Sequence, residues 1–176
     1  IKNLAEFLNK DIKQLTACIL DRPRHKKLIS DVRSTGSRIK LISDGDVSAV
    51  IATSIEDSGI NLYMGVGGSP EGVLGAAALK CIGGKMYTKL IFDNNEIFER
   101  ANQMGITDKN KIYTMNDLVK GDVMFSATGV TNGTLLQGVN FKNNTAKTNS
   151  VVMRSKTKTI RYVNATHDLN IKDIKF

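Results

Sequence analysis

An acidic side chain in a glycine-rich segment is the first feature of chemical interest. Glu71 lies in GVGGSPEG (65–72), where Gly67, Gly68 and Gly72 leave room for a ligand or another backbone to approach. An acid in the first turn of a helix also stabilises the helix dipole by roughly 0.3–1 kcal/mol, which is a purely structural alternative. The glycine spacing departs from the G-x-G-x-x-G pattern of dinucleotide sites. A carboxylate that faces a phosphate needs a cation between them, so this segment favours a metal-bridged phosphate over NAD.

A second segment carries two basic side chains on either side of a proline. Arg22-Pro23-Arg24 precedes a predicted helix, and Pro23 suits the first position of that helix. Two guanidinium groups at a helix N-terminus are suited to bind a phosphate. The alternative is a pair of solvated arginines, and the sequence leaves both open. The next residue, His25, is expected on the helix surface.

A third segment, Asp44-Gly45-Asp46, offers two carboxylates before another predicted helix. One of them could cap that helix, and capping needs only one. The pair could also accept hydrogen bonds from sugar hydroxyls or bind a metal. The sequence leaves capping and ligand binding open.

Each of these segments follows a predicted strand and precedes a predicted helix. The strands are expected at 15–20, 38–43 and 60–66, and the helices begin near Pro23, Asp46 and Pro70. In an open α/β sheet, ligands bind outside the carboxyl ends of the strands. We therefore expect the three segments to meet at one edge of a sheet.

The rest of the chain continues the alternation of strands and helices and then changes character. Predicted strands at 86–92, 112–113 and 122–129 are followed by strands around 136–141, 150–154 and 159–163, the last two joined by a hairpin turn at 155–158. The pattern predicts a single α/β domain over residues 1–176. Its sheet is expected to be largely parallel and mixed, flanked by helices, with an antiparallel C-terminal meander.

Composition and charge argue against a membrane protein and against a nucleic-acid-binding protein. The chain has 176 residues, 41% of them hydrophobic, and no segment long and apolar enough for a bilayer span. Its net charge is +8, but the basic residues are scattered among acidic ones, so we expect no nucleic-acid or membrane partner. Cys18 and Cys81 stand alone in apolar surroundings and are expected to be reduced core thiols of a cytoplasmic protein.

Five segments in order, DRPRH, LISDGDV, GVGGSPEGVLGAAALKCIGG, FSATGVT and MRSKTKTIR, together resemble the class II fructose-1,6-bisphosphatases. These enzymes belong to the lithium-sensitive, metal-dependent sugar and inositol phosphatase superfamily. The resemblance spans nearly the whole chain. It implies the C-terminal part of the sugar phosphatase fold, in a cytoplasmic protein that is a homo-oligomer when full length.

The resemblance also implies a role for each segment. Glu71 matches the glutamate that binds Mg²⁺ or Mn²⁺, and Gly68 matches a backbone position that contacts substrate. Arg22 and Arg24, with Pro23 between them, match the pair that holds the phosphate that is not hydrolysed. Asp44 and Asp46, with Gly45 between them, match the acids that contact sugar hydroxyls. The implied reaction is hydrolysis of fructose 1,6-bisphosphate at the 1-phosphate, in gluconeogenesis or carbon fixation.

This chain departs from the family pattern in length. It resembles only the C-terminal half, and the resemblance places the other metal-binding acids and the threonine that helps to activate water in the N-terminal half. A metal-dependent phosphoryl transfer needs several carboxylates to hold its ions. We therefore expect no catalytic residue in this chain and no activity from it alone. One alternative is a sugar-phosphate sensor without catalysis, and a weaker one is a nucleotide-binding domain.

Overall fold

The computed structural model describes residues 1–171 and shows an α/β protein with three separate hydrogen-bonded sheets. This confirms the predicted fold class. The strands are β1 (Thr16–Leu20), β2 (Arg38–Ile42), β3 (Leu62–Tyr63), β4 (Tyr87–Lys89), β5 (Ile112–Thr114), β6 (Met124–Thr128), β7 (Asn140–Lys142), β8 (Thr145–Arg154) and β9 (Thr159–Asp168). The helices are α1 (Lys2–Leu8), α2 (Lys26–Ser34), α3 (Asp46–Ala52), α4 (Ser69–Ile82), α5 (Asn95–Gln103) and α6 (Met115–Leu118).

The first sheet is parallel, with the strand order β2-β1-β3. β1 pairs with β2 from Thr16↔Arg38 to Leu20↔Ile42, and with β3 at Cys18↔Tyr63. Parallel strands end at the same edge of a sheet. The chain segments that follow β1, β2 and β3 therefore start side by side.

The central strand β1 is buried on both faces because its sequence is apolar on both faces. Ala17 and Ile19 pack against Ile29 and Val32 of α2, whereas Cys18, on the opposite face, belongs to a core cluster with α3. Continuous apolar sequence is typical of a parallel strand that is covered by helices on both sides. Cys18 and Cys81 are both free and buried, as predicted.

Helix α4 joins the parallel sheet to the C-terminal part of the chain. Its apolar side packs with α3 and with strands β6 and β8 in one core cluster that includes Ile51, Cys81 and Val151. Gly75 lets α4 approach α3 closely, since a Cβ atom there would lie 3.2 Å from Val50 Cγ1. Gly83 ends the helix in the left-handed conformation that glycine adopts most easily.

The remaining strands differ from the prediction in how they pair. β4 forms a two-stranded antiparallel sheet with β5 and does not extend the parallel sheet. The C-terminal strands pair with one another, in the order β6-β8-β7 with β9 on the other side of β8, and do not add to the parallel sheet. The predicted hairpin turn at 155–158 is present. Within residues 1–171, every helix is too short or too polar to cross a membrane.

Candidate functional site

Three loops follow the parallel strands, and the structure brings them together at one edge of the sheet. We call them loop 1 (21–25, after β1), loop 2 (43–46, after β2) and loop 3 (64–68, after β3). β1 lies between β2 and β3, so loop 1 lies between the other two. Hydrogen bonds from loop 1 to both neighbours fix this arrangement.

Arg22 joins loop 1 to loop 2. Its Nη2 donates to the carbonyl oxygen of Ser43 at 2.6 Å, and its Nη1 donates to the carbonyl oxygen of Asp21 at 3.3 Å. The Asp21 N–H donates to the carbonyl oxygen of Ile42 at 2.8 Å. The guanidinium group therefore stays beside loop 2, with donors left over for a further acceptor.

Arg24 joins loop 1 to loop 3. Its Nε donates to the carbonyl oxygen of Val66 at 2.7 Å. Among residues 1–171, the four N–H groups on its two terminal nitrogens have no hydrogen-bond partner. A guanidinium group that is fixed through Nε presents two parallel donors, which is the geometry that a phosphate accepts.

The expectation that His25 lies on a helix surface is wrong. Its side chain is only 1% exposed, because residues 23–25 form a 3₁₀ turn before α2 and this turn carries the ring under the end of β1. Nδ1 lies 2.8 Å from the carbonyl oxygen of Leu20, and Nε2 lies 2.9 Å from the backbone nitrogen of Val66. His25 is therefore a second link between loop 1 and loop 3.

In loop 2, neither aspartate is the helix cap. Gly45 occupies the N-cap position with φ 77°, a conformation that favours glycine. Asp46 is the first residue of α3, and its Oδ1 accepts a hydrogen bond of 2.9 Å from the N–H of Val47. Asp44 lies on the exposed side of the loop, where its Oδ2 is 3.4 Å from the Ser43 hydroxyl. Both carboxylates keep acceptor sites that local structure does not use.

Loop 2 also approaches loop 3. A Cβ atom on Gly67 would lie 3.6 Å from Asp46 Oδ2, so this carboxylate lies over the glycine backbone. Tyr63, the last residue of β3, stands close to both. Burial of its phenol, and then the negative charge of Asp46, raise the pKa of Tyr63 to about 12, whereas Arg24 acts in the opposite direction. The phenol therefore keeps its proton to a higher pH than an unperturbed tyrosine does, and it can donate a hydrogen bond.

Glu71 lies in the first turn of α4, just after loop 3. Its carboxylate folds back over Gly68, the N-cap of the helix, and a Cβ atom at Gly68 would overlap Glu71 Oε2. The carboxylate forms no hydrogen bond or ion pair with any residue between 1 and 171. A glycine at 68 thus leaves the carboxylate room beside the loop 3 backbone.

The Glu71 carboxylate fits part of a divalent-cation site. An unengaged carboxylate oxygen is the ligand type that Mg²⁺ and Mn²⁺ prefer. Within the described part of the chain, no three His, Cys, Asp or Glu side chains lie close enough together to hold a metal ion. Since Mg²⁺ requires six oxygen ligands, the Glu71 carboxylate alone could fill only part of such a shell.

A cavity of about 320 Å³ opens beside loop 2. Asp44 and Gly45 form one wall, Lys40 of β2 contributes a basic side chain, and the segment 132–134 closes the far side. Sequence reasoning gave no hint of this segment, because it lies in an irregular loop far along the chain. Tyr63 was also missed, although its position at the end of a strand at this edge was a usable signal.

The comparisons with known proteins agree on one family. The family model described as bacterial fructose-1,6-bisphosphatase, glpX-encoded, matches residues 1–167. The D-fructose 1,6-bisphosphatase class 2/sedoheptulose 1,7-bisphosphatase of Microcystis aeruginosa is 40% identical over 180 residues, which cover 95% of this chain and 52% of the relative. Proteins of the same description from Crocosphaera subtropica and Trichodesmium erythraeum are 41% and 40% identical over the same shares. This chain therefore spans about half the length of the curated relatives it matches.

Proposed function

This chain belongs to the bacterial, glpX-encoded fructose-1,6-bisphosphatase family, and from that premise we propose that it forms the sugar-phosphate-binding half of a metal-dependent bisphosphatase. The full-length protein hydrolyses fructose 1,6-bisphosphate to fructose 6-phosphate and phosphate, in carbohydrate metabolism in the cytoplasm. The missing half supplies the remaining metal ligands and the group that helps to activate water. Residues 1–176 act as one domain in that longer chain.

The proposed roles follow the three loops. Arg22 and Arg24, with Pro23 fixing the backbone between them, bind the phosphate that is not hydrolysed. Their positions beside loops 2 and 3 support this, because each keeps unused donors after its backbone hydrogen bond. Asp44 and Asp46, on either side of Gly45, orient the sugar by accepting hydrogen bonds from its hydroxyl groups.

Glu71 supplies one carboxylate ligand to Mg²⁺ or Mn²⁺. The bound cation would lower the pKa of a coordinated water and offset charge on the transferred phosphoryl group. The chain's own contribution would be to hold the substrate: the loop 3 backbone at Gly68 would contact the sugar phosphate, and the absence of a side chain at Gly68 leaves the Glu71 carboxylate room.

One observation carries the proposal: all three polar loops meet at the carboxyl edge of the parallel sheet. Arg22 bonds loop 2, Arg24 bonds loop 3, and Asp46 lies over Gly67. A guanidinium pair suits a phosphate, a carboxylate pair suits sugar hydroxyls, and a single unengaged acid suits part of a cation's ligand shell.

The test compares two substrates in the full-length protein. Arg22→Met removes a charge-assisted hydrogen bond to the distal phosphate, worth about 1.5–3 kcal/mol, so kcat/KM for fructose 1,6-bisphosphate falls about 10–150-fold. Hydrolysis of p-nitrophenyl phosphate, which has no second phosphate, stays within about threefold of the wild type. Arg33→Met, at the far end of α2, is the matched control and keeps both rates.

Two outcomes would contradict the proposal. An equal loss for both substrates in Arg22→Met would show that this arginine does not recognise the distal phosphate. A full-length wild-type protein that binds fructose 1,6-bisphosphate but hydrolyses it with neither Mg²⁺ nor Mn²⁺ would be a sensor and not a phosphatase.

A further inference from the structure

The feature that the proposed roles leave unused is the buried imidazole of His25. It is 1% exposed and lies between the end of β1 and loop 3. A buried polar ring of this kind is retained only where its hydrogen bonds are made. Both of its nitrogens have partners, and both partners are backbone groups.

The geometry selects one tautomer of His25. With the proton on Nδ1, the ring donates to the carbonyl oxygen of Leu20 at 2.8 Å and Nε2 accepts from the Val66 N–H at 2.9 Å. With the proton on Nε2, the ring could donate only to the Val66 carbonyl oxygen at 3.2 Å, and Nδ1 would face the Leu20 oxygen as a second acceptor. The first tautomer makes two good hydrogen bonds, so His25 accepts from Val66.

Loop 1 therefore holds both polar groups of one residue in loop 3. His25 Nε2 accepts from the Val66 N–H, and Arg24 Nε donates to the Val66 carbonyl oxygen. The two side chains are adjacent in the sequence. We call this pair of hydrogen bonds the Val66 clamp.

Gly65 provides the space that the clamp needs. A Cβ atom at residue 65 would lie 3.3 Å from His25 Cε1 and 3.3 Å from the Tyr63 hydroxyl, which is closer than such atoms normally pack. Without a side chain there, the imidazole edge can reach the Val66 backbone. The glycine in this position is thus explained by the histidine beneath it.

The Val66 clamp lies just before Gly68 and Glu71 in the chain, the two residues of this segment that have a role in the proposed function. Loop 3 continues from Val66 through two glycines to the N-cap of α4, and the Glu71 carboxylate folds back over that N-cap. Two consecutive glycines, at 67 and 68, would leave this path loose if its start were not fixed. The same arginine that bears a phosphate-binding role fixes that start.

We propose that His25 is a positioning residue: through the Val66 clamp it sets the place of the metal-ligand loop relative to the phosphate-binding arginines. The claim rests on the proposed function, since it concerns how that site is held together. His25 touches neither substrate nor cation. It acts through the Val66 backbone, and its loss lets Glu71 move away from the cation.

The experiment uses the full-length protein and two variants that divide the two hydrogen bonds of His25. His25→Gln keeps an acceptor at the reach of Nε2, whereas His25→Asn keeps a donor at the reach of Nδ1 and has nothing for Val66. Amide hydrogen exchange at Val66 and the Mn²⁺ concentration for half-maximal hydrolysis of fructose 1,6-bisphosphate are measured in each. Arg33→Gln serves as the matched surface control.

In His25→Asn, we expect exchange at Val66 to become about tenfold faster and the half-activating Mn²⁺ concentration to rise about tenfold, the equivalent of one lost hydrogen bond of about 1.4 kcal/mol. The rate at saturating Mn²⁺ changes much less, because the cation restores the position of Glu71. His25→Gln stays within about threefold of the wild type in both measurements. Gly65→Ala, which pushes against the ring, shows the same signature as His25→Asn and replaces it if that variant fails to fold.

Three results would overturn the proposal. One is an unchanged Val66 exchange rate in both His25→Asn and Gly65→Ala. Another is faster exchange with a wild-type Mn²⁺ dependence. The third is an equal loss in His25→Gln and His25→Asn, which would mean that His25 only supports the fold. Hydrogen exchange at Val66 can be measured in an inactive protein. It therefore still tests the Val66 clamp if the wild-type protein shows no hydrolysis and the proposed function is wrong.

Discussion

At the scale of single residues, Tyr63 is the group whose ionisation the site changes most clearly. Its pKa is raised to about 12, first by burial and then by Asp46, compared with about 10 in an unfolded chain. The folded state therefore keeps the phenol proton between pH 10 and 12, where the unfolded state releases it. Stability falls as the pH rises through this window, by less than the limit of about 1.4 kcal/mol per pH unit because solvent screens this partly exposed phenol.

Tyr63→Phe tests this sign directly. Without the phenol, we expect the free energy of unfolding to decline less between pH 9 and pH 11 than in the wild type. Urea unfolding at the two pH values measures the difference. Tyr87→Phe, which changes a largely exposed ring, is the matched control and keeps the wild-type decline. A decline in Tyr63→Phe as steep as in the wild type would contradict the assignment.

Single residues were also where sequence reasoning was most uneven. The arginines, the aspartates and Glu71 could be singled out because each is a charged residue near the junction of a predicted strand and the next helix, and their roles stay predictions. His25 was misplaced because the 3₁₀ turn at 23–25 precedes the helix, and a turn of three residues leaves no periodic signal. The segment 132–134 lines the same cavity as loop 2 only because of the tertiary fold, and nothing local in the sequence predicts that arrangement.

At the scale of elements, two glycines of α4 differ in what limits their substitution: close packing against α3 at Gly75, and only helix propensity at Gly72. A Cβ atom at Gly75 would lie 3.2 Å from Val50 Cγ1 of α3, whereas one at Gly72 would find only Met86 Cε at 4.0 Å. Gly75→Val should therefore lower the free energy of unfolding by about 2 kcal/mol by forcing the helices apart. Gly72→Ala should raise it by about 0.5–1 kcal/mol because alanine is the better helix former.

Chemical denaturation of the two variants decides the point. Combining Gly75→Val with Val50→Ala should recover part of the loss, since the smaller side chain vacates the contact. Equal effects of the substitutions at 72 and 75 would show that α4 is not held against α3 at Gly75.

The strands show which part of an element a sequence can reveal. The apolar segment 15–20 was predicted almost to its ends, because four of the five residues of β1 are buried and have no polar alternation. The segment 60–66 was predicted too long: β3 ends at Tyr63, and His25 and Arg24 hold Val66 in a loop. Which strands pair with one another was harder still to predict from the sequence. β4 reads like a fourth parallel strand, but its pairing with β5 depends on the return of the chain after α5.

At the scale of the whole molecule, we propose that the chain forms half of a site. It spans about half the length of its curated relatives. Among residues 1–171, no three metal-ligating side chains lie close together, and the Glu71 carboxylate has no partner. The loops that meet at the sheet edge carry two arginines and two aspartates, and among the described residues they offer too few clustered ligands for a complete Mg²⁺ shell. Length and composition predict one domain, whereas the prediction of a second half rests on the family resemblance and on the small number of carboxylates near Glu71.

The most direct test of this central claim is a rate measurement with fructose 1,6-bisphosphate on three samples: these 176 residues alone, these residues mixed with the missing half, and the full-length protein. We expect no phosphate release above background from the 176 residues, and release from the mixture and the full-length protein only when Mg²⁺ or Mn²⁺ is added. Hydrolysis by the 176 residues alone at the full-length rate would contradict the divided site.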